Sequence, residues 1–146
     1  MTDKALFELL AGRTLALAEA NFPKTISIKP LKLLELEEVQ PTPHNLEVGH
    51  QTIRWLRDEG YLRCSGPHHV TINNQSMIAF NDVVLTSKGL AALNATIEFA
   101  GTKGRVGEIL EKELNETGKD ARSAIVSEIV GQIFGVAIKA LPSWFA

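Results

Sequence analysis

The sequence predicts an α+β fold closed by a C-terminal helical pair, and three observations carry that reading. Apolar residues recur at helical spacing as far as Glu59. From Tyr61 to Leu85 the pattern changes to the two-residue alternation of half-buried strands. Beyond Thr86 helical spacing returns, with Gly118 breaking the final stretch into two segments.

The first helix is expected over Asp3 to Ala20. Leu6, Leu9, Leu10, Leu15 and Leu17 stand there among strong helix formers, and Thr2 or Asp3 can cap the first backbone N–H groups. Asn21-Phe22-Pro23 stops it, because the residue before a proline is pushed out of the helical region and proline has no N–H to donate. A short extended piece, Thr25 to Lys29, follows. Leu31, Leu33, Leu34, Leu36 and Val39 then fit a short helix from Pro30 to Gln40, although Leu34-Glu35-Leu36-Glu37 also alternates as a strand would. In Pro41-Thr42-Pro43-His44, Thr42 can cap and Pro43 can open the next helix. That helix should run to about Glu59, with Leu46, Ile53 and Leu56 as its stripe, Val48 and Trp55 flanking, and Gly60 as a left-handed C-terminal cap.

Tyr61 to Cys64, His69 to Ile72 and Met77 to Leu85 read as two or three short strands, with turns at Ser65-Gly66-Pro67 and Asn73-Asn74-Gln75-Ser76. Thr86 or Ser87 caps a helix carrying Leu90, Leu93, Ile97 and Phe99, expected to end near Gly101. Val106, Ile109, Leu110 and Leu114 mark the first helix of the terminal pair. Asp120 caps the second, which extends to Leu141 and Pro142. The one candidate boundary, Gly101 to Gly104, gives a domain over 1–101 and a helical pair over 102–146, or else is a hinge within one domain.

Composition bounds the function. The chain has 146 residues, 45% hydrophobic and 22% charged, which is the balance of an ordinary globular domain able to bury a core without staples. Its single cysteine, Cys64, excludes an intramolecular disulfide. With 15 lysines and arginines against 17 aspartates and glutamates the net charge is −2, so the whole molecule has no bulk attraction for nucleic acid or anionic lipid. Met1-Thr2-Asp3-Lys4-Ala5 does not open a secretory signal, which makes the cytoplasm the expected compartment.

The order helix, short helix, helix ending in Arg57-Asp58-Glu59-Gly60-Tyr61-Leu62, strands, then Val84-Leu85-Thr86-Ser87-Lys88-Gly89-Leu90 resembles a winged helix-turn-helix domain. Within that superfamily it is similar to bacterial regulators of the MarR and PadR kind. Leu56 to Leu62 matches the glycine-bearing end of their recognition helix, and Leu85 to Gly89 matches the Leu-Thr-x-x-Gly entry to the helix after the wing. The likeness covers about residues 3–98. Independently of any family, Gly60 lets the chain turn from helix to strand and Thr86 turns it back, so the hairpin between them, Cys64 to Phe80, must project.

The resemblance implies a transcriptional regulator whose helix ending at Glu59 lies in the major groove of double-stranded DNA while the wing touches phosphates. His50, Gln51, Arg54 and Arg57 are the candidates on that helix. Gln51 and Arg54 suit base edges, since an amide pairs with adenine and a guanidinium with guanine. Arg63, Lys88, His68 and His69 are expected at phosphates. Charge argues the other way: Glu35, Glu37, Glu38, Glu47, Asp58 and Glu59 against Arg54 and Arg57 leave −4 over 35–60. A segment of that sign repels the backbone that supplies non-specific affinity, an effect Lys24, Lys29 and Lys32 offset only in part. Three readings therefore stand: a DNA-binding regulator, an interaction module of the same fold whose acidic helix meets a basic protein surface, and membrane association through the C-terminal helix.

Catalytic chemistry finds little support. Cys64, His68 and His69 are the closest group of ligating types, but adjacent histidines on a strand point to opposite faces, so neither metal nor other cofactor is expected. Glu35, Glu37 and Glu38 read as a solvated face. Gly101-Thr102-Lys103-Gly104 lacks the strand and the Gly-Lys-Ser/Thr ending of a phosphate loop. No enzyme activity is expected.

The last helix is the most distinctive segment. Ile125, Ile129 and Ile133 form one apolar row, and Val126, Val130, Phe134 and Leu141 a second. Ser123, Ser127, Gly131 and Gly135 form a small row that lets another helix approach closely. The expectation is a homodimer built on Ser127, Ile129, Gly131, Ile133, Phe134 and Gly135, as terminal helices build it in the regulators resembled; burial against the N-terminal helix is the alternative. Glu128, Gln132 and Lys139 argue against a membrane span, and the polar face lacks the cations of an interfacial helix. Trp144 and Phe145 are expected to cover the seam.

Overall fold

The computed structural model describes residues 1–99, 101–116 and 118–139, and three of its helices begin where the sequence places hydroxyl caps. Thr2 Oγ1 accepts the Ala5 N–H at 3.1 Å and opens α1 (Asp3–Asn21). A short strand β1 (Ile26–Ile28) leads to α2 (Pro30–Leu36), which ends ahead of the positive φ of 57° at Glu38. Thr42 Oγ1 accepts the Asn45 N–H at 3.1 Å and opens α3 (Pro43–Asp58). Gly60, at φ 85°, takes the left-handed conformation that turns α3 into β2 (Leu62–Ile72). Asn73 and Asn74, at φ 52° and 62°, make a two-residue hairpin of the type that suits strand twist, leading into β3 (Gln75–Leu85). Thr86 then caps α4 (Ser87–Asn94), accepting the Gly89 N–H at 3.1 Å and donating its hydroxyl to the Gly60 carbonyl.

The sheet is antiparallel in the order β1-β3-β2, with Ile26 opposite Val83 and Leu62 opposite Leu85. The architecture is α+β. Ser65-Gly66-Pro67, expected as a turn between two strands, instead lies within β2, where the register shifts between Arg63 and His68. One extra-length strand with an irregularity replaces two short ones, because Gly66 at φ 118° absorbs the offset without ending the ladder.

The second difference follows α4. The sequence extends that helix through Ile97 and Phe99, whereas the chain forms β4 (Thr96–Phe99) and β5 (Thr102–Arg105), paired antiparallel around Gly101 at φ 79°. Arg105 explains the stop. Its guanidinium bonds both oxygens of Glu19 on α1, at 2.7 and 3.1 Å, and the Asn94 side chain at the end of α4, at 3.1 Å. The Glu19 bonds raise the Arg105 pKa above its ordinary value, and together with the Asn94 bond they hold the hairpin against two helices. The expected 101–104 boundary is thus the turn and second strand of a hairpin.

The chain continues through α5 (Val106–Glu116) and α6 (Lys119–Lys139). The second helix starts one turn residue ahead of the expected Asp120 cap, with the Gly118 carbonyl accepting from Ala121 and Arg122 at 3.2 and 3.0 Å. Leu141, Pro142, Trp144 and Phe145, to which the expected helix end and seam cover were assigned, lie outside the described residues.

A single buried cluster takes side chains from both sides of residues 101–104: Leu10 and Leu15 of α1, Leu34, Ile53, Leu56 and Phe80 join Leu110, Val126, Ile129 and Val130. Each such side chain contributes about 1.5–3 kcal/mol by leaving water. Close helix approach falls at Gly12 of α1, where a Cβ would meet Val126 Cγ1 at 2.7 Å and Val130 Cγ2 at 3.1 Å. The small row of α6 does not make this contact. A Cβ on Gly131 would find Glu8 at 3.8 Å, and one on Gly135 nothing within 4 Å.

Glu37 corrects the expected solvated face. Its side chain is fully buried and bonded by two guanidiniums, Arg13 of α1 and Arg122 of α6, the latter at 3.0 Å. A buried carboxylate is tolerable only when paired and hydrogen-bonded, and here two cations from two other helices meet that need. Glu35 and Glu38 are exposed as expected.

Candidate functional site

The outward face of α3 is the candidate site. Gly49, Thr52, Ile53 and Leu56 turn inward, so helical geometry presents His44, Glu47, Gln51, Trp55 and Asp58 outward, with Arg54 beside them. This face borders a groove of about 580 Å³ between α1 and α3, floored by Phe7, Val48 and Trp55 and rimmed by Asp3, Lys4, Glu47, Arg54 and Asp58. Trp55 is 36% exposed. Its ring stands edge-on to Phe7 at 5.2 Å and to Phe134 of α6 at 4.8 Å, and lies stacked on Tyr61 at 6.1 Å. Sequence reasoning placed Trp55 as a flanking residue and missed the groove, since Phe7 and Phe134 reach it from helices distant in the chain.

The residues expected to touch DNA fall into different circumstances. Gln51 is exposed, but its amide donates to Glu47 Oε1 at 2.8 Å. Arg54 has no hydrogen-bond or ion-pair partner among the described residues and is the most available cation of the face. Arg57 is committed to the protein: it donates to the Gly66 carbonyl at 3.0 Å and to Asp58 at 3.1 Å, bracing α3 against the irregular part of β2. Lys88 is committed too, with Nζ donating to the Glu59 carbonyl at 2.7 Å and lying 4.5 Å from the centre of the Tyr61 ring. There it satisfies an otherwise open carbonyl at the negative end of α3. His50 turns inward against Phe80, at 5.6 Å, and neither ring nitrogen has a hydrogen-bond partner; Glu47 lies at 3.7 Å, an ion pair only when the ring is protonated. Arg63 is exposed on β2.

The hairpin adds no lasting positive charge. No lysine or arginine occurs from Cys64 to Ser87, and its exposed part offers only His68 and His69. His68 approaches Ser65 Oγ at 3.3 Å. Burial pushes the Cys64 thiol up from its ordinary pKa, with Arg57 opposing that shift, so the thiol is neutral and poorly nucleophilic near neutral pH. Among the described residues no group of three His, Cys, Asp or Glu side chains is placed to hold a metal ion. A smaller cavity of about 320 Å³ lies between the hairpin tip and α2, lined chiefly by Leu31, Leu46, Met77 and Ile78.

The residues expected at a dimer interface lie largely against the chain itself. Ile129 and Ile133 are buried, Phe134 packs on Phe7, Trp55 and Tyr61, and Ser127 donates to Glu8 at 2.8 Å. Gly131 is exposed and Gly135 partly so. Among the described residues no helix is long and apolar enough to cross a membrane. Comparison of the chain with models of protein families, with curated proteins and with solved structures finds no match.

Proposed function

We propose that the chain is a winged-helix interaction module, without enzyme activity, that receives a basic amphipathic segment of a protein partner along α3. The element order, with helix, strand, two helices and a hairpin closing a β1-β3-β2 sheet, supports the winged-helix assignment. The observation that carries the function is the composition of the α3 face. An apolar floor of Phe7, Val48 and Trp55 is flanked by Asp3, Glu47 and Asp58, while Arg57 and Lys88 each bond a carbonyl of the chain and residues 64–87 lack lysine and arginine. Apolar anchors with carboxylates beside them match the helix-in-groove mode of recognition better than the neutralisation of phosphates.

One observation favours a second reading. Arg54, unpaired beside Gln51 on the outward helix, is chemically suited to a guanine edge, which keeps a DNA-binding transcriptional regulator in view. A homodimer, in either reading, would have to use the Gly131 and Gly135 edge of α6, because Ile129 and Ile133 are occupied within the chain.

The deciding experiment titrates labelled duplex DNA of random sequence, and separately a designed Lys/Leu amphipathic helical peptide, against the full chain in a salt series beginning near 50 mM. The interaction reading expects no DNA affinity at the lowest salt, and peptide binding that Glu47→Lys with Asp58→Lys abolishes. DNA binding that weakens linearly in log salt and disappears in Arg54→Glu overturns it.

A further inference from the structure

We propose that the cavity of about 320 Å³ beside α2 docks an extended, uncharged peptide segment of a partner protein, which adds to β3 as a strand beyond the end of β1. The lining residues locate the cavity at a sheet edge. Gln75, Ser76, Met77 and Ile78 are consecutive in β3, and all four border it. Successive side chains of a strand point to opposite faces, so a cavity that meets four in a row meets the edge of the strand.

That edge carries no strand. β2 takes the other side of the same residues, with Ile72 opposite Gln75 and His69 opposite Ile78. β1 reaches only as far as Phe80, opposite Ile28, because the chain turns at Pro30 into α2. Among the described residues no backbone hydrogen bond from outside the hairpin reaches Gln75 to Ala79. In an antiparallel ladder every second residue aims its N–H and C=O away from its partner strand, so this row is a template for another extended backbone. At about 3.3 Å per residue the template is about 13 Å long, the length of a segment of about five residues.

The opposite wall sets the chemistry of the segment. It consists of Pro30, Leu31, Pro41 and Leu46, and the two prolines have no N–H to offer the free carbonyls of the edge. Neither this wall nor residues 75–79 carry a charge, so a charged side chain docked there would lose its water without meeting an opposite charge. Main-chain bonds to the edge supply affinity, and the cavity selects an aliphatic side chain, which is the division of labour in strand addition. The cavity shares no lining residue with the groove between α1 and α3, so the inference does not rest on the proposed function.

The probe is a pool of acetylated and amidated pentapeptides of valine, isoleucine, leucine and threonine, added to the full chain at up to millimolar concentration. The control is the same pool N-methylated at every residue, which keeps the side chains and removes the N–H donors. Amide hydrogen exchange reads the edge. Every second amide from Gln75 to Ala79 is expected to exchange about tenfold more slowly with the unmethylated pool and at its ordinary rate with the methylated one. Leu31→Arg, which puts a charge into the cavity, should weaken binding of the unmethylated pool about tenfold. Should that variant fail to fold, the exchange comparison on the unaltered chain decides alone. Unchanged exchange at Gln75 to Ala79 overturns the proposal. Equal binding of the methylated pool also overturns it, since the cavity then takes apolar groups without strand pairing. Slow exchange of these amides that needs no peptide and grows with protein concentration does the same, since a second copy then holds the edge. Glu47→Lys with Asp58→Lys should leave pentapeptide binding unchanged even where it abolishes binding of the Lys/Leu peptide. Loss of both would place the pentapeptides in the α1/α3 groove and sink the inference, while binding of the pentapeptides alone by the unaltered chain would sink only the proposed function.

Discussion

Arg122, near the start of α6, donates to Glu37 at the end of α2 across 3.0 Å, and the two residues stand 85 positions apart in the chain. With Arg13 on the other carboxylate oxygen, one acidic side chain fastens α1, α2 and α6 together. Glu37→Ala leaves two guanidiniums beside a buried void, and the expected loss is about 3–5 kcal/mol in urea denaturation. Replacing all three residues at once, with Glu37→Leu, Arg13→Met and Arg122→Met, should recover most of that loss, because the buried carboxylate and the two guanidiniums facing it leave together. A loss below about 1 kcal/mol for Glu37→Ala would mean that the site behaves as an exposed pair.

Two glycines should respond oppositely to alanine. At Gly89 an added Cβ runs into the Tyr61 carbonyl oxygen, a backbone atom that cannot step aside, so Gly89→Ala is expected to cost about 1–3 kcal/mol and to lower the thermal midpoint. At Gly135 the space around a Cβ is open, so Gly135→Ala should stabilise the single chain by about 0.5–1 kcal/mol through helix propensity. If Gly135→Ala instead dissociates an assembled dimer in light scattering, the small row of α6 faces another copy.

Tyr61 is the chain's one tyrosine, so the tyrosinate absorbance band reports it alone. Burial, and secondarily the Glu59 carboxylate, hold its pKa above the ordinary value of 10.0. The folded chain then keeps a proton that the unfolded chain releases, so this contribution to stability is whole below the unfolded pKa and is lost as pH rises through the folded one. A spectrophotometric titration should find a midpoint above 10.0 that falls back to that value in denaturant. A midpoint at 10.0 in the native chain would refute the burial account.

Arg57 both braces the irregular part of β2 and draws the Cys64 thiol pKa down against burial. Arg57→Ala removes the lowering influence and leaves the raising one. The thiolate fraction at mildly alkaline pH should drop, and iodoacetamide should label Cys64 more slowly than in the parent chain. Faster labelling would show that the loss of the Gly66 contact opens the strand.

Local chemistry made most of the fold legible. Thr2, Thr42 with Pro43, and Thr86 each announce a helix start because a side-chain oxygen can serve a backbone N–H within three residues, and Gly60 and the Asn73-Asn74 pair announce turns because few residues accept positive φ. The β4 and β5 hairpin escaped for the converse reason. Thr96-Ile97-Glu98-Phe99 alternates over only four residues, Ile97 also fits the spacing set by Leu93, and what decides the matter is Arg105 holding Glu19, 86 positions away. Glu37 carries no local sign of burial, since both its partners come from other helices.

The candidate site was legible as a location and not as a state. Sequence periodicity puts Gln51, Arg54 and Arg57 on one helix, but whether a cation faces outward or serves its own protein is set by what stands opposite. For Arg57 that is the Gly66 carbonyl, and for Lys88 the Glu59 carbonyl. The groove needed three helices, one of them α6, before Phe7, Trp55 and Phe134 could be seen as neighbours.

The packing of α1 on α6 orders the birth of the molecule in time. A ribosome that adds about 5–20 residues each second finishes the first helix some 5–20 s before it finishes making the partner that covers Gly12. During that interval the leucines of the first helix have the central helices and the sheet to lean on but not their final cover. The nascent chain therefore spends its longest wait with an oily seam open, which makes this seam the natural place for a chaperone to hold.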